Sequence, residues 1–372
     1  MQYADYLTAS LSDLSLALQR GDVTARQLTD YALQRISEAD QPRYNAITWL
    51  FADEARAAAE LSDTRRQRGE ALGQLDGIPV LIKDNIEVQG WPTSAGSVML
   101  RDVIAQTDAP LVTTLRHQGA VLIGKTAMHE LAAGITGASS LTGFTHNAWR
   151  EGRSPGGSSS GSAVAVAVGY VPLAIGSDTA GSVRIPAAFN GLFGLRMTQG
   201  ALSTSGIVPL SPTQDIPGPL VRSAADLRIA SEVLSGKTFA TEGEALRVGI
   251  WQEGFAADED EINQAVQAAV AGFAPATLSW PELETLAAEA NIIGYEFAEA
   301  LAKYLVDKPQ AQFHTLPDIA ASGLYHPQLE TVFKTRAVHP GTASEGYARV
   351  QQRQHDIYQQ LVAMFDQHNI NL

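Results

Sequence analysis

The stretch SPGGSSSGSAVAVAVGYVPLAIGSDTAGSVRIPAAFNGLFGL, residues 154–195, decides the reading of this chain. Two turns rich in Gly and Ser, residues 156–162 and 177–182, flank an apolar segment. The first turn runs into residues 163–168, whose small side chains suit a tightly packed helix. Residues 172–175 then read as a short buried strand. Serine-bearing loops therefore stand at opposite ends of one helix–strand unit. Glycine permits close approach and unusual backbone angles, so such loops can aim N–H groups at a developing negative charge.

Outward from that stretch, composition sets the bounds. A chain of 372 residues with 45% hydrophobic content suits a soluble protein of one large domain or two ordinary ones. The formal charge of −14 argues against non-specific binding to nucleic acid or to anionic membrane. Cysteine is absent, which removes disulfides, thiolate nucleophiles and Cys-based metal sites and fits a reducing compartment. The opening MQYADYLTASLSDL carries acids and no long apolar run, unlike a signal peptide, so a cytoplasmic location is expected. The best membrane-span candidate, residues 163–175, is too short and contains Pro172.

Along the chain, Leu11–Arg20 reads as an amphipathic helix stopped by Gly21, Thr24 caps a second helix to about Glu38, and residues 52–69 form a third. Residues 77–82 (GIPVLI) are a buried strand that delivers Lys83 and Asp84. A lysine there is ordinarily a snorkelling surface residue; the functional reading is a desolvated amine acting as a base. Residues 203–220, dense in Pro, Gly and Ser, read as a long ordered loop with Gln214 and Asp215 at its polar centre. Loop-internal hydrogen bonds explain those two as well as substrate contact does. Residues 246–250 read as a strand, and 259–273, 281–305 and 344–366 as helices, with loop and short helices over 308–340.

Two motifs compete for the chemistry. Residues 119–126, GAVLIGKT, match the P-loop pattern in full, but Ala-Val-Leu-Ile between the glycines is strand material and leaves no phosphate-cradling loop. Residues 157–161, GSSSG, fit the hydrolase elbow with Ser159 central. An elbow needs a strand before it, and residues 147–155 look like a loop. It also needs a later acid and His, yet His314, His326, His339, His355 and His368 sit in no compact polar motif.

The chain resembles the amidase signature family, amide hydrolases with a Ser–Ser–Lys triad. The resemblance is strong over about residues 5–250. It rests on GIPVLIKDNI at 77–86, GAVLIGKTAMHELAAGITG at 119–137, SPGGSSSGSAVAVA at 154–167 and GSDTAGSVRIPAAFNGLFGL at 176–195. It implies an α/β fold, a mixed, mostly parallel central sheet covered by helices on both faces. Lys83 matches the family's catalytic lysine, Ser158 the bridging serine held by a cis peptide, and Ser182 the nucleophile. Thr179, Ala180 and Gly181, with the N–H of Ser182, match the oxyanion loop. Ala180 and Ser160 stand where many members have glycine. No cofactor and no metal are implied.

The organisation expected is one amidase domain over residues 1–372, with a helical layer to residue 70, a catalytic core over 71–250 and a mainly helical part from 251. Relatives continue beyond HNINL, so the chain reads as truncated, with an unpaired core-sheet edge where residues 369–372 would begin a strand. The expected partner is a small-molecule amide, with a homodimer left open. Two other readings stand beside hydrolysis: the amidase subunit of a tRNA-dependent amidotransferase, and a truncated non-catalytic member.

Overall fold

The computed structural model describes residues 3–371 except 241, 242, 244 and 256–259. The chain divides into two compact units, one of Met1–Phe239 with Glu296–His339, the other of Ala240–Tyr295 with Pro340–Leu372.

The first unit is built on a six-stranded sheet: β1 (Ile47–Leu50), β2 (Pro79–Lys83), β3 (Val121–Thr126), β4 (Leu173–Asp178), β5 (Phe193–Gly194) and β6 (Ile216–Val221). The spatial order is β1-β3-β2-β4-β6-β5. β3, β2 and β4 are parallel, and β1, β6 and β5 add antiparallel flanks. Every residue of β2, β3 and β4 is buried, as continuous apolar runs in a covered parallel sheet require. The P-loop match dissolves here. Residues 121–126 are interior strand, and Lys125 donates to the Ile86 carbonyl at 2.5 Å.

The helices end where local chemistry dictates. α1 (Leu11–Arg20) starts at Ser10, whose hydroxyl accepts from the Asp13 amide, and stops at left-handed Gly21. α2 (Ala25–Ala39) carries a full capping box between Thr24 and Gln27. α3 (Ala52–Gln67) and α4 (Ser160–Ala167) complete the layers that matter to the site. α4 packs against β2, β3, β4 and β6. A Cβ at Gly161 would lie 2.2 Å from the Ala46 carbonyl oxygen, so only glycine lets α4 sit this deep.

Residues 216–221, read from the sequence as the close of a loop, form β6, fully buried between β4 and β5. Pro217 and Pro219 hide it, because proline argues against an interior strand. The Pro219 carbonyl accepts from Leu195 N, on the β5 side. A residue's N and C=O point to the same side of a strand. The N–H that Pro219 lacks, and that of Pro217 two residues back, would therefore face the two-residue strand β5, away from β4.

In the second unit, β7 (Gly249–Trp251) and β8 (Ala276–Leu278) pair in parallel; the latter went unread. The helix expected over 259–273 runs Asp260–Val270 and continues as a 3-10 turn, its expected start at residue 259 lying outside the described residues. The helix expected over 281–305 is two, Leu283–Glu289 and Ile293–Leu305, separated where Asn291 Oδ1 accepts from Ile293 N. Residues 369–371 do not begin a strand of the six-stranded sheet. Asn369 turns left-handed (φ 54°) after helix Glu345–Gln367, and Asn371 N donates to Arg247 O beside β7. Residue 372 lies outside the described residues.

Candidate active site

β2 carries Lys83 to the interior end of the sheet, where its side chain is fully buried. Its Nζ lies 2.7 Å from Ser158 Oγ, 2.9 Å from Ser177 Oγ and 3.2 Å from the Ser177 carbonyl oxygen. Ser158 follows a cis peptide bond from Gly157, and its carbonyl accepts from His129 N at 3.0 Å. Ser159 joins the two serine loops: its N donates to the Ser182 carbonyl at 3.1 Å, and its hydroxyl donates to the Ser177 carbonyl at 3.1 Å. Ser159 is thus a buried brace, and no strand precedes it, so the elbow reading fails.

Asp178 shapes the second loop from the end of β4. Its carboxylate accepts from Gly181 N at 2.7 Å, Val183 N at 3.0 Å and Arg184 Nε at 3.1 Å. The Gly181 amide is therefore engaged, while Gly181 takes φ 124°, which L side chains rarely adopt. Ala180 is not among the positive-φ residues, so a Cβ there costs nothing. The amides of Thr179, Ala180 and Ser182 carry no hydrogen bond to a described residue. The Ser182 hydroxyl likewise makes none among the described residues, and the residue keeps 6% exposure. The structure thus brings Lys83 and Ser158 into direct contact and anchors Ser182 beside them through its backbone.

Asp215 supports the same loop from β6's leading edge. Its Oδ1 accepts from Thr179 Oγ1 at 2.5 Å, and Oδ2 from Leu210 N and Ser211 N at 2.9 and 3.0 Å. Asp215 thus makes the loop-internal bonds expected of it, and one more to Thr179 in the second serine loop. Gln214 is held in the loop through its backbone, its N donating to Ser211 O and its carbonyl accepting from Arg196. Glu296 fastens the loop from outside by accepting from the hydroxyls of Ser211 and Thr213 at 2.6 and 2.8 Å.

Burial governs the electrostatics. It pushes the Lys83 amine down to about 7, against the opposing charges of Asp178 and Asp215. Burial pushes the Asp215 carboxyl up, partly offset by Thr179 and the two amides. Burial also acts to raise Asp178, but Arg184 and the amides of Val183 and Gly181 outweigh it and hold that carboxyl below its usual range. His129, with 3% exposure, is pushed down to about 4 by burial, helped by His326 and Lys83. Its Nδ1 faces the amides of Thr136 and Ala138, so it is neutral with its proton on Nε2.

Sequence reading missed Ser177, Asn85, His129 and the Asp178–Arg184 pair. Ser177, Asp178 and Arg184 were in view inside the quoted motif, but their contacts are long-range or wrap around a turn. Of the C-terminal histidines, His314 Nδ1 pairs with Leu305 O and His326 Nδ1 caps a 3-10 turn. Among the described residues no group of three metal-ligand side chains gathers, and no helix is long and apolar enough to cross a membrane.

Comparison with known proteins gives the family and the fold. A family model described as Amidase matches residues 27–370. A glutamyl-tRNA(Gln) amidotransferase subunit of Chloroflexus aurantiacus is 43% identical over 231 residues, 62% of this chain and 47% of that protein. Its counterpart in Synechococcus sp. is 36% identical over 312 residues, 78% of this chain and 61% of that one. The chain thus spans about half the length of the first of these relatives. Among solved structures, native peptide amidase from Stenotrophomonas maltophilia superposes with a TM-score of 0.87 at 30% identity, over 99% of this chain and 83% of that one. With the family model spanning nearly the whole chain and a fold shared with a solved amidase, the chain belongs to the amidase family.

Proposed function

We propose that this chain hydrolyses a carboxamide C–N bond of a small molecule through an acyl-enzyme on Ser182, with Lys83 as base and Ser158 as the proton bridge. The observation that carries it is Lys83: a fully buried amine, brought to about 7, in direct contact with Ser158. A serine hydroxyl is a poor nucleophile until a base takes its proton, and an amine serves only when neutral.

In this mechanism Ser182 Oγ bonds to the carbonyl carbon while its proton passes to Ser158 Oγ and that of Ser158 to Lys83. The oxyanion faces the free amides of Thr179, Ala180 and Ser182, which supply preorganised donors. Gly181 contributes the turn, its own N–H being held by Asp178. Collapse breaks the C–N bond, and the proton on Lys83 returns through Ser158 to the departing nitrogen. Water then repeats the sequence on the acyl-serine and releases a carboxylate.

The test is ammonia release from a panel of primary amides, with an active-site-directed phosphonate as control. Turnover that survives Ser182→Ala would sink this reading. A second reading, an ammonia-releasing component of an amidotransferase, draws on the 43% identity to such a protein. Co-purification with partner subunits would favour it. A non-catalytic member would release no ammonia from any amide.

A further inference from the structure

The hydrogen bonds around Lys83 have a direction, and that direction decides whether it can act as a base. Three oxygens surround its Nζ: Ser158 Oγ, Ser177 Oγ and the Ser177 carbonyl. A protonated amine donates to all three, whereas a neutral one has two N–H groups and one lone pair. The carbonyl can only accept, so one N–H is committed to it. The lone pair must then face either Ser158 or Ser177.

If it faces Ser158, Ser177 Oγ accepts from Lys83, and its own proton needs another acceptor. Besides Lys83, the one side chain hydrogen-bonded to Ser177 Oγ among the described residues is Asn85, whose Nδ2 lies 3.0 Å away. Asn85 is 1% exposed, and its Oδ1 is buried without a hydrogen-bond partner. Amide oxygen and nitrogen have nearly the same shape, so turning the amide over exchanges them without moving the chain. With Nδ2 toward Ser177, as here, the serine's proton has only the lysine lone pair to go to, which turns that lone pair away from Ser158. With Oδ1 toward Ser177, the serine donates to Asn85 and accepts from Lys83.

We infer that Asn85 is a positioning residue that acts through Ser177, its amide orientation setting whether the free lone pair of Lys83 faces Ser158. This rests on the hydrolytic reading above, in which Lys83 is the base.

The experiment is a double-mutant cycle of Asn85→Leu and Ser177→Ala in the full chain, read in two ways. In turnover of a primary amide, Asn85→Leu lowers kcat roughly 10- to 100-fold and leaves KM within about twofold. Ser177→Ala does likewise, and the double variant is no slower than Ser177→Ala alone, because both act through one hydroxyl. Asn85→Asp keeps an acceptor toward Ser177. It recovers rate above a pH midpoint raised by the new charge. Losses that multiply in the double variant, or an Asn85→Asp that recovers nothing at any pH, overturn the inference. The second readout is NMR titration of the Lys83 side chain in the same four proteins, which needs no turnover. Shifts that fail to add support the coupling, and additive shifts refute it. An inactive wild type would therefore end the hydrolytic reading while the titration still decides the role of Asn85.

Discussion

Lys83 and Lys125 lie on adjacent parallel strands, in successive rungs of one ladder: Ile82 pairs with Lys125, and Lys83 with Thr126. Both are fully buried. Lys83 meets the hydroxyls of Ser158 and Ser177 and, among the described residues, has no carboxylate within ion-pair distance. Lys125 stands 3.8 Å from Asp84 Oδ1 and donates to a carbonyl. Burial drives both amines down, Lys83 to about 7 and Lys125 to about 8, the latter held up by Asp84 and Glu87. The difference teaches that burial alone does not make a base. A hydroxyl opposite can hand over a proton, while a carboxylate opposite fixes the charge where it is.

The largest effect that could break this comparison is on turnover. Ser182→Ala and Lys83→Met should each lower kcat by about 10⁴-fold or more, as loss of a nucleophile or its base does elsewhere. Lys125→Met should retain amide hydrolysis in whatever fraction stays folded. Comparable kcat losses in folded Lys83 and Lys125 variants would erase the distinction.

Stability should show the reverse order. Lys125→Met leaves Asp84 buried without its cation, a loss of about 3–5 kcal/mol for breaking a buried pair. Replacing both, Lys125→Met with Asp84→Leu, should return much of it. Denaturant midpoints of the four proteins test this, and a double variant no more stable than Lys125→Met would argue that the pair is not the cause.

The pH dependence sharpens the contrast further. The folded Lys83 amine, at about 7, lies below the ordinary value of 10.5, so between those two the native state binds fewer protons than the unfolded chain. Its burial therefore costs stability fully below pH 7, less as pH rises, and nothing above about 10.5. Lys83→Met should be level with wild type or more stable at pH 7, lost hydrogen bonds offsetting part of the gain. That advantage should shrink towards pH 10. In the wild type, kcat/KM should fall on the acid side with a midpoint near 7. A pH-independent destabilisation of Lys83→Met would mark it as a charged structural residue like its neighbour.

The smallest effect serves as a control far from both strands. Thr24→Ala removes half of the capping box of α2 and should cost about 1 kcal/mol with kcat unchanged. A change in kcat there would mean that global stability leaks into the rates being compared.

Legibility followed the range of the interactions. α1, the start of α2, and strands β2 and β3 were readable because their signals are local: caps, a terminal glycine, apolar runs. β6 was hidden because its prolines are tolerated only through the short neighbour on one side, a fact of sheet order. Lys83, Ser158 and Ser182 were recognisable as motif residues, yet Lys83 by itself looked like a surface lysine. Ser177 Oγ and Asn85 belong to separate motifs, 92 residues apart, and meet only in the folded sheet.

The sequence by itself determined which groups exist and which segments can hide them: the serine loops, the apolar strands, the helix ends and the family. Each of those rests on residues close in the chain. Only the tertiary structure decided what each buried group faces. A carboxylate stands against Lys125 and hydroxyls against Lys83, and the Gly181 amide is given to Asp178 rather than left free. Protonation and hydrogen-bond direction are set within a few ångströms of space, and that neighbourhood is assembled from strands distant in sequence.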